Sequence, residues 1–254
     1  MHTISMTSGL RQAIASAGLA VGLMSMALVP LPAAAFQLVP ISQDFEPSGR
    51  GVNQVFQVEN DRNEPVTVTI KMTGRAVDPD GNETMAETED FTVFPTEIIL
   101  PPKSSRGVRV KWVGDPAPKT ELSYRIVAEE TPLNMRRDSP GASVFLTVRY
   151  IGSIYVVPKG AKADIVVASA RAVPGGSQLE VVLQNKGTRH AIIDEPSLTV
   201  SSGSTNVTLD KVVVDGQLNG ENILAGAQRR FLLPMPAGLP SGALTAKLTY
   251  TPLQ

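Results

Sequence analysis

Val144-Phe145-Leu146-Thr147-Val148-Arg149-Tyr150-Ile151-Gly152-Ser153-Ile154-Tyr155-Val156-Val157 is the stretch on which the fold turns. It contains no strong turn signal, and at about 3.3 Å per residue it would make a strand of about 46 Å. Ordinary strands have about five or six residues. A strand this long must run past the edge of its own sheet, bend between sheets, or offer part of its length to something else. Its parity narrows the choice. Val144, Leu146, Val148, Tyr150, Ile154 and Val156 share one face, interrupted by Gly152, and the other face is mixed. Two readings stand side by side: a central strand buried on both faces, or a strand whose apolar row fills a groove in an incomplete partner.

The same period of two recurs on either side of this stretch. Val66, Val68, Ile70 and Met72 alternate with Thr67, Thr69 and Lys71, and Val108, Val110 and Trp112 with Arg109 and Lys111. Leu179, Val181 and Leu183 repeat it, as do Leu244, Ala246, Leu248 and Tyr250. Each run predicts a half-buried strand, with Trp112 in the core. Asp78-Pro79-Asp80-Gly81, Pro101-Pro102, Pro174-Gly175-Gly176 and Ser201-Ser202-Gly203 end strands by fixing or freeing φ. Helical spacing is scarce. The expected fold is all-β, with two immunoglobulin-like sandwiches in tandem.

Segmentation follows from composition. Arg11 precedes an apolar run from Ala13 to Leu31, and Ala33-Ala34-Ala35 closes it, the layout of an export signal cleaved after Ala35. Gly18, Gly22, Pro30 and Pro32 interrupt the run and argue against a membrane anchor, so no stable membrane insertion is expected after cleavage. Of 254 residues, 219 then remain, enough for two domains. Pro158-Lys159-Gly160-Ala161-Lys162 reads as the linker, with domains at 36–157 and 163–254. Glu83 to Asp90 reads as a solvated acidic loop.

Several classes of function have no material. Without Arg11 the chain carries 22 Lys plus Arg against 24 Asp plus Glu, which recommends no nucleic-acid partner. With no cysteine, an exported chain must be held by its packed core. The histidines are His2 and His190, the latter read as a surface residue, so metal clusters and histidine-dependent triads are not expected. No Walker-type loop or nucleophile motif occurs, and neither a cofactor nor an enzymatic activity is expected. Glu129 and Glu130 are adjacent strand residues on opposite faces and cannot flank one glycosidic bond.

Four stretches, in order, carry a family resemblance: Val58-Glu59-Asn60 with the strand Pro65 to Met72; Phe94-Pro95 followed by Leu100-Pro101-Pro102; Ser123 through Pro132; and Val148-Arg149-Tyr150. Leu183-Gln184-Asn185-Lys186-Gly187 adds a fainter fifth. Together they resemble the periplasmic chaperones of the chaperone–usher pilus pathway, most closely the archaic branch. The resemblance implies that the last strand of the first domain is lent to a pilin lacking its own final strand, without ATP, before delivery to an outer-membrane usher. It makes Val144, Leu146, Val148 and Tyr150 the donor row. An exposed apolar edge is an aggregation hazard, so the free protein is expected to cover it, self-association being one route.

One feature of the classical branch is missing. There, an Arg early in the first strand and a Lys near the end of the long one clamp the pilin's terminal carboxylate. Here Phe36 to Phe45 holds no basic residue, and Ser153 stands where the Lys is expected. Arg125 and Arg149 are the candidate substitutes, each with a plain surface ion pair as its competing role. A pilus subunit or adhesive sandwich protein would share the strand pattern, but such a subunit would be one sandwich with a short donor extension.

Overall fold

A computed structural model describes residues 36–131 and 147–253. The expected signal segment 1–35 and the donor candidates Val144 and Leu146 lie outside the described residues. The first half builds β1 (Phe36–Val39), β2 (Ser42–Phe45), β3 (Asn53–Asn60), β4 (Val66–Gly74), β5 (Ala76–Val77), β6 (Glu83–Thr84), β7 (Phe91–Phe94), β8 (Glu97–Leu100), β9 (Ser104–Trp112), β10 (Leu122–Thr131) and β11 (Arg149–Val156). One sheet runs β1-β3-β9-β7 and the other β2-β11-β10-β4-β8, while β5 and β6 form a separate hairpin.

Alternation explains the burial. In β9, Val108, Val110 and Trp112 are buried while Arg109 and Lys111 are exposed. The inward rows of both sheets meet in one cluster that includes Phe36, Phe56, Ile70, Leu100, Ile126 and Ile154. Trp112 stands edge-on to Phe91, their ring centroids 5.0 Å apart, and Phe91 to Tyr124 at 4.9 Å, the geometry that aromatic quadrupoles favour.

The second half builds β12 (Ile165–Ala172), β13 (Gln178–Asn185), β14 (Ala191–Ser202), β15 (Thr205–Thr208), α1 (Lys211–Leu218), β16 (Asn222–Ile223), β17 (Gln228–Pro234) and β18 (Leu244–Leu253). One sheet runs β12-β13-β17, and the other gathers β15, β16 and β18 around β14. Their shared core includes Leu179, Val181, Leu183, Ile193, Leu198 and Leu233. The last fully buried residue of the first core is Val156 and the first buried one of the second is Ile165.

The fold is mostly β, with a short α-helix, α1, in the second half. α1 forms because Asp210 caps it, its carboxylate accepting from the Val212 N–H at 2.8 Å, and because Val214 and Leu218, four apart, share its buried face. Lys211 and Asp215 add an i,i+4 pair at 2.8 Å. No helix among the described residues is long and apolar enough to cross a membrane.

Candidate functional site: an open strand edge beside a charged cleft

β11 is paired unequally on its two sides. Against β10 it is antiparallel along its full length, from Arg149 opposite Glu129 to Val156 opposite Leu122. Against β2 it is parallel, and only over Ser153 to Val156. The cause lies in the segment Phe36–Phe45, which pairs with β3 of the opposite sheet as β1, crosses at Pro40-Ile41, and joins β11 as β2. From Arg149 to Gly152, β11 therefore has no strand partner among the described residues on the side away from β10.

The hydrogen bonds fix which groups look out of that edge. The Glu130 N–H donates to the Val148 carbonyl at 3.0 Å, so even-numbered residues turn their amides to β10. The Ser153 N–H donates the other way, to the Ile41 carbonyl at 2.8 Å. Arg149 and Ile151, of Ser153's parity, turn their N–H and C=O groups to the open side. Both side chains are exposed.

Along the inward row, Val148 and Tyr150 are half-buried and pack on the first core, and the Tyr150 ring stands edge-on to Phe36 at 5.0 Å. Gly152 breaks the row for a steric reason: a Cβ there would lie 2.7 Å from Ile126 Cγ2 and 2.9 Å from the Ile41 carbonyl oxygen. Ile154 and Val156 are fully buried. At the mouth of the edge, Glu130 binds Arg62 through both carboxylate oxygens, at 2.6 and 2.9 Å.

The candidate anchors part company. Arg149 is exposed, with its Nε 3.9 Å from Glu129. Arg125 lies opposite Ser153 in the register and donates to its Oγ at 2.5 Å. Its guanidinium also grips Glu83 in a fork, Nε to Oε1 at 2.7 Å and Nη2 to Oε2 at 2.6 Å. Arg75, which sequence reasoning passed over, donates to the same Glu83 at 3.0 Å and to the Tyr155 hydroxyl at 3.2 Å. The hydrogen bond from Arg125 and the positive charges of Arg75 and Arg125 hold the Glu83 carboxyl below its ordinary range, outweighing the opposite effect of burial. Glu83 is thus no free member of a solvated acidic loop, although most of its neighbours up to Asp90 are exposed.

The cleft continues to the second core through β11. Tyr155 stacks on His190 with ring centroids 3.7 Å apart, and its hydroxyl accepts from Asn222 Nδ2 at 2.8 Å. His190 is 2 % exposed, which corrects its reading as a surface residue. Its Nδ1 lies 2.8 Å from both oxygens of the buried Glu121. Nothing local in Thr188-Arg189-His190-Ala191 signals this, because the partners are remote in sequence. Among the described residues no group of three or more His, Cys, Asp or Glu could hold a metal ion.

The architecture defined by these features is a tandem of two mostly-β sandwiches whose junction is crossed by the last strand of the first. No family model matches the chain, and no curated protein sequence matches it significantly. Solved structures do match. One, described as a chaperone–tip adhesin complex vital for synergistic activation of CFA/I fimbriae biogenesis, aligns at TM-score 0.55 and 16% identity over 85% of this chain and 98% of the other. The class 5 fimbriae chaperone CfaA aligns at 0.54 and 17% over 86% and 100%. The CsuC–CsuE chaperone–tip adhesion subunit pre-assembly complex, from archaic chaperone–usher Csu pili of Acinetobacter baumannii, aligns at 0.54 and 15% over 78% and 90%. At these identities the likeness is one of fold, and it spans both sandwiches.

Proposed function

We propose that this chain is a periplasmic chaperone of the chaperone–usher pathway, of the archaic branch, that lends β11 and the residues before it to strand-deficient pilins and passes them to an outer-membrane usher without ATP. In this reading 1–35 is removed on export, 158–162 links the domains 36–157 and 163–254, and no catalysis is involved. The observation that carries it is the open amide edge from Arg149 to Gly152, set beside the half-buried Val148 and Tyr150. Main-chain pairing along such an edge supplies affinity, and alternate side chains supply specificity. The fold shared with fimbrial chaperones and the ordered sequence motifs support the same reading. Val144 and Leu146 would extend the row, and each such side chain buried in a partner contributes about 1.5 to 3 kcal/mol before ordering costs. For the partner's terminal carboxylate we favour Arg125 over the exposed Arg149, with Glu83 as the group a client carboxylate would have to displace or share.

Ile151→Pro tests the edge. It removes an N–H that faces away from β10 and so spares the β10–β11 ladder. Co-expressed with a strand-deficient pilin of the same genome, Ile151→Pro and Leu146→Glu are each expected to stay folded and to recover little or none of the one-to-one complex. Full recovery with both variants would refute strand lending by this segment.

A further inference from the structure

The hairpin of β5 and β6 lies outside both sandwich sheets, and its tip is closed by its own hydrogen bonds. Ala76 pairs with Thr84 and Val77 with Glu83. At the tip, the Asp78 N–H donates to the Asn82 carbonyl at 3.0 Å, the Gly81 N–H to the Asp78 carbonyl at 3.0 Å, and the Asn82 N–H to Asp78 Oδ1 at 2.9 Å.

The hairpin touches the edge of the second sandwich. β17 ends the sheet β12-β13-β17, and its outer side would otherwise present unpaired amides. The Arg230 N–H of β17 donates to the Pro79 carbonyl at 2.7 Å, and Arg230 Nε donates to Asp80 Oδ1 at 2.7 Å. Proline has no N–H with which to continue a ladder, so Pro79 closes the contact after one bond. Gly81, at φ +90°, lies so close to Arg229 that a Cβ would come within 2.6 Å of its guanidinium. The base of the hairpin is held as firmly to the first sandwich, through the fork of Glu83 on Arg125 and its bond to Arg75.

We infer that the hairpin Ala76–Thr84 is a strut: it ties the outer edge of β17 at Arg230 and fixes the angle between the two sandwiches independently of the covalent linker. This goes beyond the proposed function and stands whether or not β11 is lent to a partner. The base of the strut meets β11 through Arg125, at Ser153, and through Arg75, at the Tyr155 hydroxyl.

The test uses the absence of cysteine from the chain, which lets two introduced thiols report alone. Spin labels at Arg106→Cys on β9 and Gln217→Cys on α1, both exposed, read the distance between sandwiches. Asp80→Lys, which repels Arg230, is expected to broaden that distance distribution and to make the Arg230 amide exchange about tenfold faster, while Glu97→Lys on the exposed side of β8 changes neither. Replacing 78–82 by Asn-Gly, a two-residue turn, is expected to broaden the distribution further. A distribution as narrow as the parent's in both Asp80→Lys and the shortened hairpin overturns the strut, whatever the amide does.

Discussion

Two asparagines do the same work in the two halves of the chain. Asn60, at the end of β3, accepts from the Arg62 N–H at 3.0 Å and donates to the Glu64 carbonyl at 2.9 Å and the Leu100 carbonyl at 3.2 Å. Asn185, at the end of β13, accepts from the Gly187 N–H at 3.0 Å and donates to the Arg189 carbonyl at 2.7 Å and the Ile223 carbonyl at 3.0 Å. The spacing is the same in each: two residues on, four residues on, and a remote strand or loop. Both side chains are buried, so Asn60→Ala or Asn185→Ala leaves carbonyls unpaired in the core and is expected to cost about 1–3 kcal/mol, read as a lowered urea midpoint. Gly152→Ala is a second residue-scale case. Its methyl would press on Ile126 and on the Ile41 backbone, so a loss of about 1–3 kcal/mol by overpacking is expected, read as a fall in Tm. In sequence Asn60 and Gly152 stand out only as a motif member and a gap in a row. Their reasons are contacts with residues 40 and 111 positions away, Leu100 and Ile41, which no local pattern carries.

At the scale of elements, strands with clean alternation were readable and the exceptions were not. Leu179, Val181 and Leu183 are fully buried, as their spacing implies. β4 departs from half-burial because Thr67 and Thr73 are buried too, on a strand flanked by β10 and β8. α1 leaves little trace in the sequence because its stripe has only two buried members and its second half holds a glycine, Gly216, a weak helix former. The β5–β6 hairpin leaves as little because its acidic residues look like solvent-facing charge until Arg75 and Arg125 are brought beside Glu83 by folding. That pairing has a sign. A carboxyl held below its ordinary 4.5 in the folded chain stabilises the fold above that value, and its contribution is lost as pH falls through the depressed folded value. The Tm difference between the parent chain and Glu83→Gln is therefore expected to be full at pH 7 and to shrink on acidification below about pH 4.5.

At the scale of the molecule, two cores separated in sequence are joined by contacts that sequence reasoning had no means to anticipate. Tyr155 belongs by parity to the mixed face of β11, and it became an interface residue because His190 and Asn222 arrive from the second sandwich. The edge-on aromatic group around Phe91, by contrast, lies within the first sandwich, and its member Trp112 was placed in the core from alternation alone. What local period determines is which side of a strand is dry. What it leaves open is which neighbour dries it.

The crossing of Phe36–Phe45 at Pro40-Ile41 also acts as a ruler. Wherever that segment leaves one sheet for the other, it decides how many rungs of β11 it occupies, and hence how many stay without a strand partner among the described residues. A crossing two residues earlier would seat β2 opposite Ile151 and erase one outward amide pair. Moving it later would expose Ser153 and bring the vacant rungs up against the Arg125 cleft. The unpaired length of β11 is in this sense written in Phe36–Phe45, far in sequence from the strand it leaves open.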